Sequence, residues 1–138
     1  MMKQQRKDHE ITVVILSRNE EQRIEKCIKS AIFADRVILV DNESSDTTVA
    51  RAKKLDITVL VEKQENFAKQ RSFALSKVET EWVFYLDADE TISDELANEL
   101  RTTIESETPY QAFRVYRRNY YLGQKWPHIE KLERLFKK

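Results

Sequence analysis

The stretch Trp82-Val83-Phe84-Tyr85-Leu86-Asp87-Ala88-Asp89-Glu90 decides the fold. Bulky apolar residues run without interruption into two acids separated by one small residue. An unbroken apolar run of this length reads as a strand covered on both faces, as in a parallel sheet. The acids then fall at its carboxyl end, where open α/β sheets place their ligands. Two carboxylates this close repel each other and lose solvation unless a cation satisfies them. Asp-x-Asp therefore suits a hard divalent metal, Mg2+ or Mn2+, carrying substrate phosphates. The plainer reading is an acidic turn, since Asp is common where strands end. These residues alone leave both readings open.

Outward from this stretch the chain alternates between strand and helix patterns. Ile11–Leu16 is a β-branched run and a candidate central strand. Ser17 and Asn19 follow as candidate helix caps, and Ile24, Cys27, Ile28, Ala31 and Ile32 give helical spacing over 20–33. A second strand, Arg36–Asp41, again ends in an acid, and a helix over 47–55 follows it. A third strand covers 57–61. Phe67, Arg71, Ala74, Leu75 and Val78 mark a third helix over 66–77. Beyond the acidic stretch, Ser93 can cap a fourth helix with Leu96, Leu100 and Ile104 as its buried stripe. Pro109 ends that element. In 111–118, Phe113 and Val115 alternate with Arg114, Tyr116 and Arg118, a half-exposed strand with a basic, aromatic face. The pattern of 119–138 assigns no element.

This order predicts an α/β fold: a mainly parallel sheet with helices on both faces. Ser17, Asp41, Asp87 and Asp89 all lie at strand ends, which converge on one crevice in such a sheet. Arg71, on the helix before the Asp-x-Asp strand, brings a charge that can reach a diphosphate there. A base reader, a phosphate cation and a metal anchor together suit a nucleoside diphosphate.

Composition narrows the classes. The chain has 138 residues, enough for one core, with 24 basic and 24 acidic side chains. Zero net charge argues against a protein built to coat nucleic acid. Cys27 is the only cysteine, so no internal disulfide forms and a reducing compartment fits. No run could span a bilayer or serve as a signal peptide, so a cytoplasmic location is expected. Gly123 is the only glycine, which removes Gly-rich phosphate loops. Phosphate must then be held by a metal, by Arg or Lys, or by a helix N-terminus.

Four segments together resemble family 2 glycosyltransferases: Val14–Glu20, Val37–Thr47, Asn66–Leu75 and Leu86–Glu90. They stand in that family's order and approximate spacing. Tyr116–Gly123 and Arg134–Phe136 further resemble the branch related to lipopolysaccharide-core β-glucosyltransferases. The resemblance implies a GT-A (Rossmann-like) fold, a nucleotide-sugar donor, most often a UDP-sugar, and a divalent metal. By position it implies Ser17 at the nucleotide, Asp41 on the base and Arg71 near the base or diphosphate. Asp87 would lie near the ribose and metal, and Asp89 would be the main metal ligand. It also implies inverting transfer to a saccharide or lipid-linked acceptor, with peripheral contact at the inner face of a membrane. The regions expected are a lead-in over 1–10, a donor-binding region over 11–108 and the start of an acceptor-side region over 109–138. The family's usual catalytic base lies further along than this chain runs, and Glu130 and Glu133 carry no pattern that gives either the role. Glu43 departs from the family, which favours Gly or a small residue there.

Plainer readings stand beside these. Asp41 alone could be a strand-end cap, and Arg71 a solvated helix residue. Trp126 could stack on an acceptor sugar or cover a small core. Arg114, Arg117 and Arg118 could meet an anionic acceptor or a membrane surface, or simply face solvent. Cys27 is most simply core, and His128 a surface residue. A non-catalytic nucleotide-sugar-binding module is the main alternative function. Asp87-Ala88-Asp89-Glu90-Thr91 also fits the nucleophile loop of haloacid-dehalogenase-type phosphatases, where the first Asp attacks phosphorus. That family places the loop near the start of its domain, and here three strands precede it. A receiver domain fails similarly, because the acids of 41–43 would belong on a first strand.

Overall fold

The structure, a computed structural model, describes residues 7–138. Its strands are β1 (Lys7–Ser17), β2 (Arg36–Asp41), β3 (Thr58–Val61), β4 (Thr80–Asp87), β5 (Ala112–Tyr121) and β6 (Gln124–Lys137). They form one sheet in the order β3-β2-β1-β4-β6-β5. The first four are parallel, and β6 joins β4 antiparallel through Val83↔Phe136 and Phe84↔Leu135. The expected α/β sheet is present, and its helices cover both faces.

Burial of both faces explains the apolar runs. Ile11, Val13, Ile15, Leu39, Trp82, Phe84 and Leu86 pack on one side of the sheet. They meet Ile24, Cys27, Ile28 and Ala31 of α1 (Ile24–Ala31), Ala52 of α2 (Thr48–Lys53), and Leu100 and Ile104 of α4 (Asp94–Glu105). Val14, Leu16, Ile38, Val40, Val83 and Tyr85 face the other side, against Ala74 of α3 (Phe67–Ser76) and Val78 beyond it. A residue pattern of period two along each strand thus feeds two separate cores.

Local signals set several boundaries. The Ser93 hydroxyl accepts from the Leu96 amide at 3.1 Å and caps α4 as expected. The Asn66 side chain accepts from the Lys69 amide at 2.9 Å and starts α3. Other expectations need correction. Ser17 and Asn19 cap no helix; α1 begins only at Ile24, behind Arg23, with no side-chain cap. The α3 face turned inward is Gln70 and Ala74, while Phe67 stands 71% exposed. Gln70 is buried because its side-chain amide donates to the Val40 carbonyl at 2.9 Å, satisfying a polar group within the core. Strand β1 already begins at Lys7, so residues 7–10, expected as lead-in, belong to the strand, with an irregularity between Lys7 and Ile11 where His9 has a φ of 63°; the remainder of the lead-in lies outside the described residues.

The segment without an assigned element is a long hairpin. Tyr121 pairs with Gln124, leaving Leu122 and Gly123 as a two-residue turn with φ of 49° and 77°. Such turns need positive φ at both positions, which accounts for the single glycine. Phe113 and Val115 pack toward the core and Arg114, Tyr116 and Arg118 are exposed, the alternation read from sequence. The ladder pairs Phe113 with Leu135 but Arg114 with Glu133, so Arg134 is an extra, bulged residue on β6.

Candidate functional site

Parallel register brings the strand ends together. Ser17 at the end of β1 is level with Asp41 at the end of β2, and Leu16 is level with Asp87 at the end of β4. The Ser17 hydroxyl donates to Asp41 Oδ1 at 2.7 Å. The Ser44 hydroxyl donates to the same oxygen at 2.6 Å, and the Ser44 amide donates to Oδ2 at 2.8 Å. Asp41 is fully buried, and these three donors satisfy it.

The two loops beside this contact are laced together. Asn19 Oδ1 accepts from the Ser45 amide at 2.8 Å, and the Asn19 amide donates to the Ser44 hydroxyl at 2.8 Å. Asn42 exchanges hydrogen bonds with the backbone of Gln64 beyond β3. Residues at the ends of three strands are therefore joined in one rim. Glu43 lies in this rim with φ of 47°, a conformation that favours glycine. That gives a backbone reason for the small residue expected there.

The acidic stretch closes into a tight turn. The Glu90 amide donates to the Asp87 carbonyl at 2.9 Å, and the Asp87 amide donates to Glu90 Oε1 at 2.8 Å. Asp89 is left at the tip with its side chain 49% exposed, its nearest ion-pair contact being Arg23 at 4.0 Å. Burial pushes the Asp87 carboxyl above the usual carboxylate range; the Glu90 charge adds to this, and Arg134 opposes it. Arg71 is exposed on α3 with its guanidinium 5.2 Å from the Tyr85 ring centre, and its charge also favours ionised Asp87. Ser17, Asp41, Arg71, Asp87 and Asp89 thus line one edge of the sheet.

The hairpin brings further residues to the site. Arg134 Nη1 donates to the Tyr85 carbonyl at 3.1 Å and to Glu90 Oε1 at 2.8 Å. Its Nη2 donates to Glu90 Oε2 at 3.2 Å and to Asp87 Oδ2 at 3.5 Å. Arg117 reaches Glu90 at 3.3 Å and Glu130 at 2.6 Å. Asn119 holds the other oxygen of Glu130 at 2.9 Å, and Arg114 pairs with Glu133 at 3.3 Å. Both acids near the end of the chain are therefore ion-paired. Arg118 is exposed, on the other side of β5 from Arg117, and Trp126 is 47% exposed.

The sequence reading missed Arg134, Glu90 and Ser44 as parts of the site. A signal for Arg134 existed. Leu132 and Leu135 both turn inward although three residues apart, a spacing that breaks strand alternation and marks a bulge. Ser44 was hidden in a turn rich in capping residues.

The donor set suits a hard cation. Among the described residues no cage of three or more His, Cys, Asp or Glu side chains is assembled. Two acids with one exposed tip fit an ion that takes its other ligands from water and phosphate, as Mg2+ commonly does. Cys27 adds no soft ligand: it is buried, its thiol pushed well up by burial, and it points at the Asp87 carbonyl at 3.5 Å.

Comparison with known proteins agrees with this geometry. The family model described as glycosyl transferase family 2 matches residues 12–138. An uncharacterized glycosyltransferase of Rickettsia prowazekii is 36% identical over 135 residues, covering 93% of this chain and 46% of that protein. The lipopolysaccharide core biosynthesis glycosyltransferase LpsC of Rhizobium meliloti is 30% identical over 118 residues, covering 82% of this chain and 44% of LpsC. The chain thus spans somewhat under half the length of these relatives. Among solved structures, the mannosyltransferase PcManGT of Pyrobaculum calidifontis, in complex with GDP-Man and Mn2+, superposes with a TM-score of 0.64 at 25% identity. That match covers 78% of this chain and 35% of PcManGT.

Proposed function

From the premise that this chain belongs to glycosyl transferase family 2, we propose that it forms the donor-binding part of a metal-assisted, inverting glycosyltransferase. The donor is a nucleoside-diphosphate sugar, with a UDP-sugar as first candidate. The observation that carries the reading is the convergence of Asp41, Asp87 and Asp89 on one sheet edge with Arg71 beside them.

In this reading the rim around Asp41 receives the base. Its buried carboxylate is already oriented by Ser17 and Ser44, so a base meets a fixed acceptor rather than a mobile one. Arg71 supplies positive charge toward the diphosphate. Asp87 and Asp89 would hold Mg2+ or Mn2+, which when bound acts as a Lewis acid for the departing diphosphate. The exposed tip of the acidic turn keeps room for that ligand.

The acceptor is a saccharide or lipid-linked sugar, and lipopolysaccharide-core synthesis is the lead. The likeness to LpsC and the motif resemblance of 116–123 and 134–136 support it. Arg118 and Trp126 would face that acceptor from the hairpin. A cytoplasmic protein touching the inner membrane face peripherally is the arrangement that suits such an acceptor; no helix among the described residues is long and apolar enough to cross a membrane. Proton removal from the acceptor is assigned to no residue of this chain.

Ligand-observed NMR with UDP, GDP and dTDP tests the donor reading. Saturation transfer to the UDP base, diminished by Asp41→Asn, is the expected result. Equal and unaltered signals from all three nucleotides in both proteins would refute a base-reading role for Asp41. Transfer to none of them would favour an interaction module on the same fold.

A further inference from the structure

Three acids crowd the turn after β4, and they are held unequally. Asp89 reaches solvent with its side chain 49% exposed, and Asp87 does so at 36% although Arg134 touches its Oδ2 at 3.5 Å. Glu90 does not: its side chain is 15% exposed, and both its oxygens are engaged by Arg134, with the Asp87 amide and Arg117 adding to them. A glutamate next to Asp89 would otherwise make a ready third ligand. Each added carboxylate raises a site's affinity for a hard cation and removes a position that phosphate could fill.

We propose that Arg134 is a positioning residue that withholds Glu90 from the cation, leaving Asp87 and Asp89 as a two-carboxylate site open to the donor diphosphate. This rests on the reading of those two aspartates as the metal anchor.

Three features of Arg134 carry the assignment. It is the bulged residue of β6, and bulges near active sites re-aim side chains. Its side chain is 8% exposed, so the charge has been taken out of water for a specific partner. Its planar fork spans both Glu90 oxygens and is fixed from behind by the Tyr85 carbonyl, a geometry that lysine cannot reproduce. The strand preceding the turn and the hairpin beyond α4 are thus joined through one guanidinium.

The clamp also ties cation binding to the donor. With Glu90 held back, a cation held by Asp87 and Asp89 would have positions left for the donor diphosphate. Without Arg134, Glu90 would be held only by the Asp87 amide and Arg117 and could turn toward the cation, which would then bind better alone and gain less from nucleotide.

Mn2+ binding with and without UDP tests this, using electron paramagnetic resonance for free Mn2+ and water-proton relaxation for waters on bound Mn2+. The proteins compared are wild type, Arg134→Gln and the double variant Arg134→Gln/Glu90→Gln, with circular dichroism to establish folding. In Arg134→Gln, bound Mn2+ should lose a water ligand, and the enhancement of its affinity by UDP should shrink by about fivefold or more. The double variant removes the ion pair without changing net charge and should restore both properties to wild-type values.

Retention of the wild-type water count in folded Arg134→Gln would overturn the proposal. So would loss of Mn2+ affinity by about tenfold in the double variant, which would make Glu90 a ligand in the natural site. Should Arg134→Gln not fold, the double variant decides alone. A wild type that binds Mn2+ while all variants match it overturns only the role of Arg134. A wild type that binds no Mn2+ overturns the metal anchor, and this assignment with it.

Discussion

Ser17 and Asp41 are partners in the β1–β2 ladder, and the Ser17 hydroxyl donates to the buried Asp41 carboxylate at 2.7 Å across the strand ends. The bond joins two parallel strands at the point where the crevice opens. It lowers the cost of holding a carboxylate out of water and fixes the direction in which that carboxylate points.

Loss of this bond should be felt in stability before any ligand is added. Ser17→Ala is expected to cost about 1–2 kcal/mol, and Asp41→Ala about 3 kcal/mol because it strands three donors at once. Urea unfolding should show lower midpoints at unchanged slope. A midpoint unmoved by Asp41→Ala would mean that the carboxylate is not the organising acceptor of the rim.

Glu43 occupies a φ of 47°, where a Cβ is crowded by the backbone. Glu43→Gly should therefore stabilise the chain by about 1 kcal/mol, net of the extra freedom glycine gains when unfolded. Differential scanning calorimetry would show this as a higher melting temperature. A lower one would mean that the Glu43 side chain contributes more than its backbone conformation costs.

The acids of the two sheet ends should act on stability with opposite signs. Burial, then the charge of Glu90, raises the carboxyl of Asp87, so the folded chain holds that proton more tightly than the unfolded one. Stability from this group then falls as pH rises from about 4, the unfolded value, through the raised folded one. Asp87→Asn should flatten that slope and leave the metal-free chain relatively more stable at neutral pH. Mn2+ affinity in the wild type should weaken as pH drops through the same window. Glu81 is lowered, chiefly by the His9 amide donating to it, so its contribution is present above its unfolded value and is lost as pH falls through the depressed one. Denaturant titrations across pH for Asp87→Asn and Glu81→Gln should separate the two slopes. Parallel curves for wild type and both variants would contradict these assignments.

The central strands were legible because burial on both faces imprints a simple pattern. Strand β2 occupies the residues read from its apolar run, Arg36–Asp41, and Ser93 caps α4 through a local bond. What was not legible depends on distant partners. Ser17 and Asn19 look like caps, but their bonds go to Asp41 and Ser45, more than twenty residues along the chain. Gln70 is buried with its side-chain amide bonded to the distant Val40 carbonyl, while Phe67 of the same helix faces outward. The hairpin carries few apolar residues along most of β6, since only its base pairs with β4 in the sheet. The bulge at Arg134 then breaks the alternation at the one place where β6 enters the core. The strand-end acids could be found from spacing. The spacing of Leu132 and Leu135 marks the bulge at Arg134 but not its partners, which lie more than forty residues away.

The most direct test is calorimetric titration with UDP in Mn2+ and again in EDTA, on the wild type and on Asp89→Ala. We expect UDP binding in Mn2+ that EDTA abolishes and that Asp89→Ala weakens by at least about tenfold. UDP binding of equal strength in EDTA and in Asp89→Ala would contradict a metal-bearing donor site at the carboxyl end of β4.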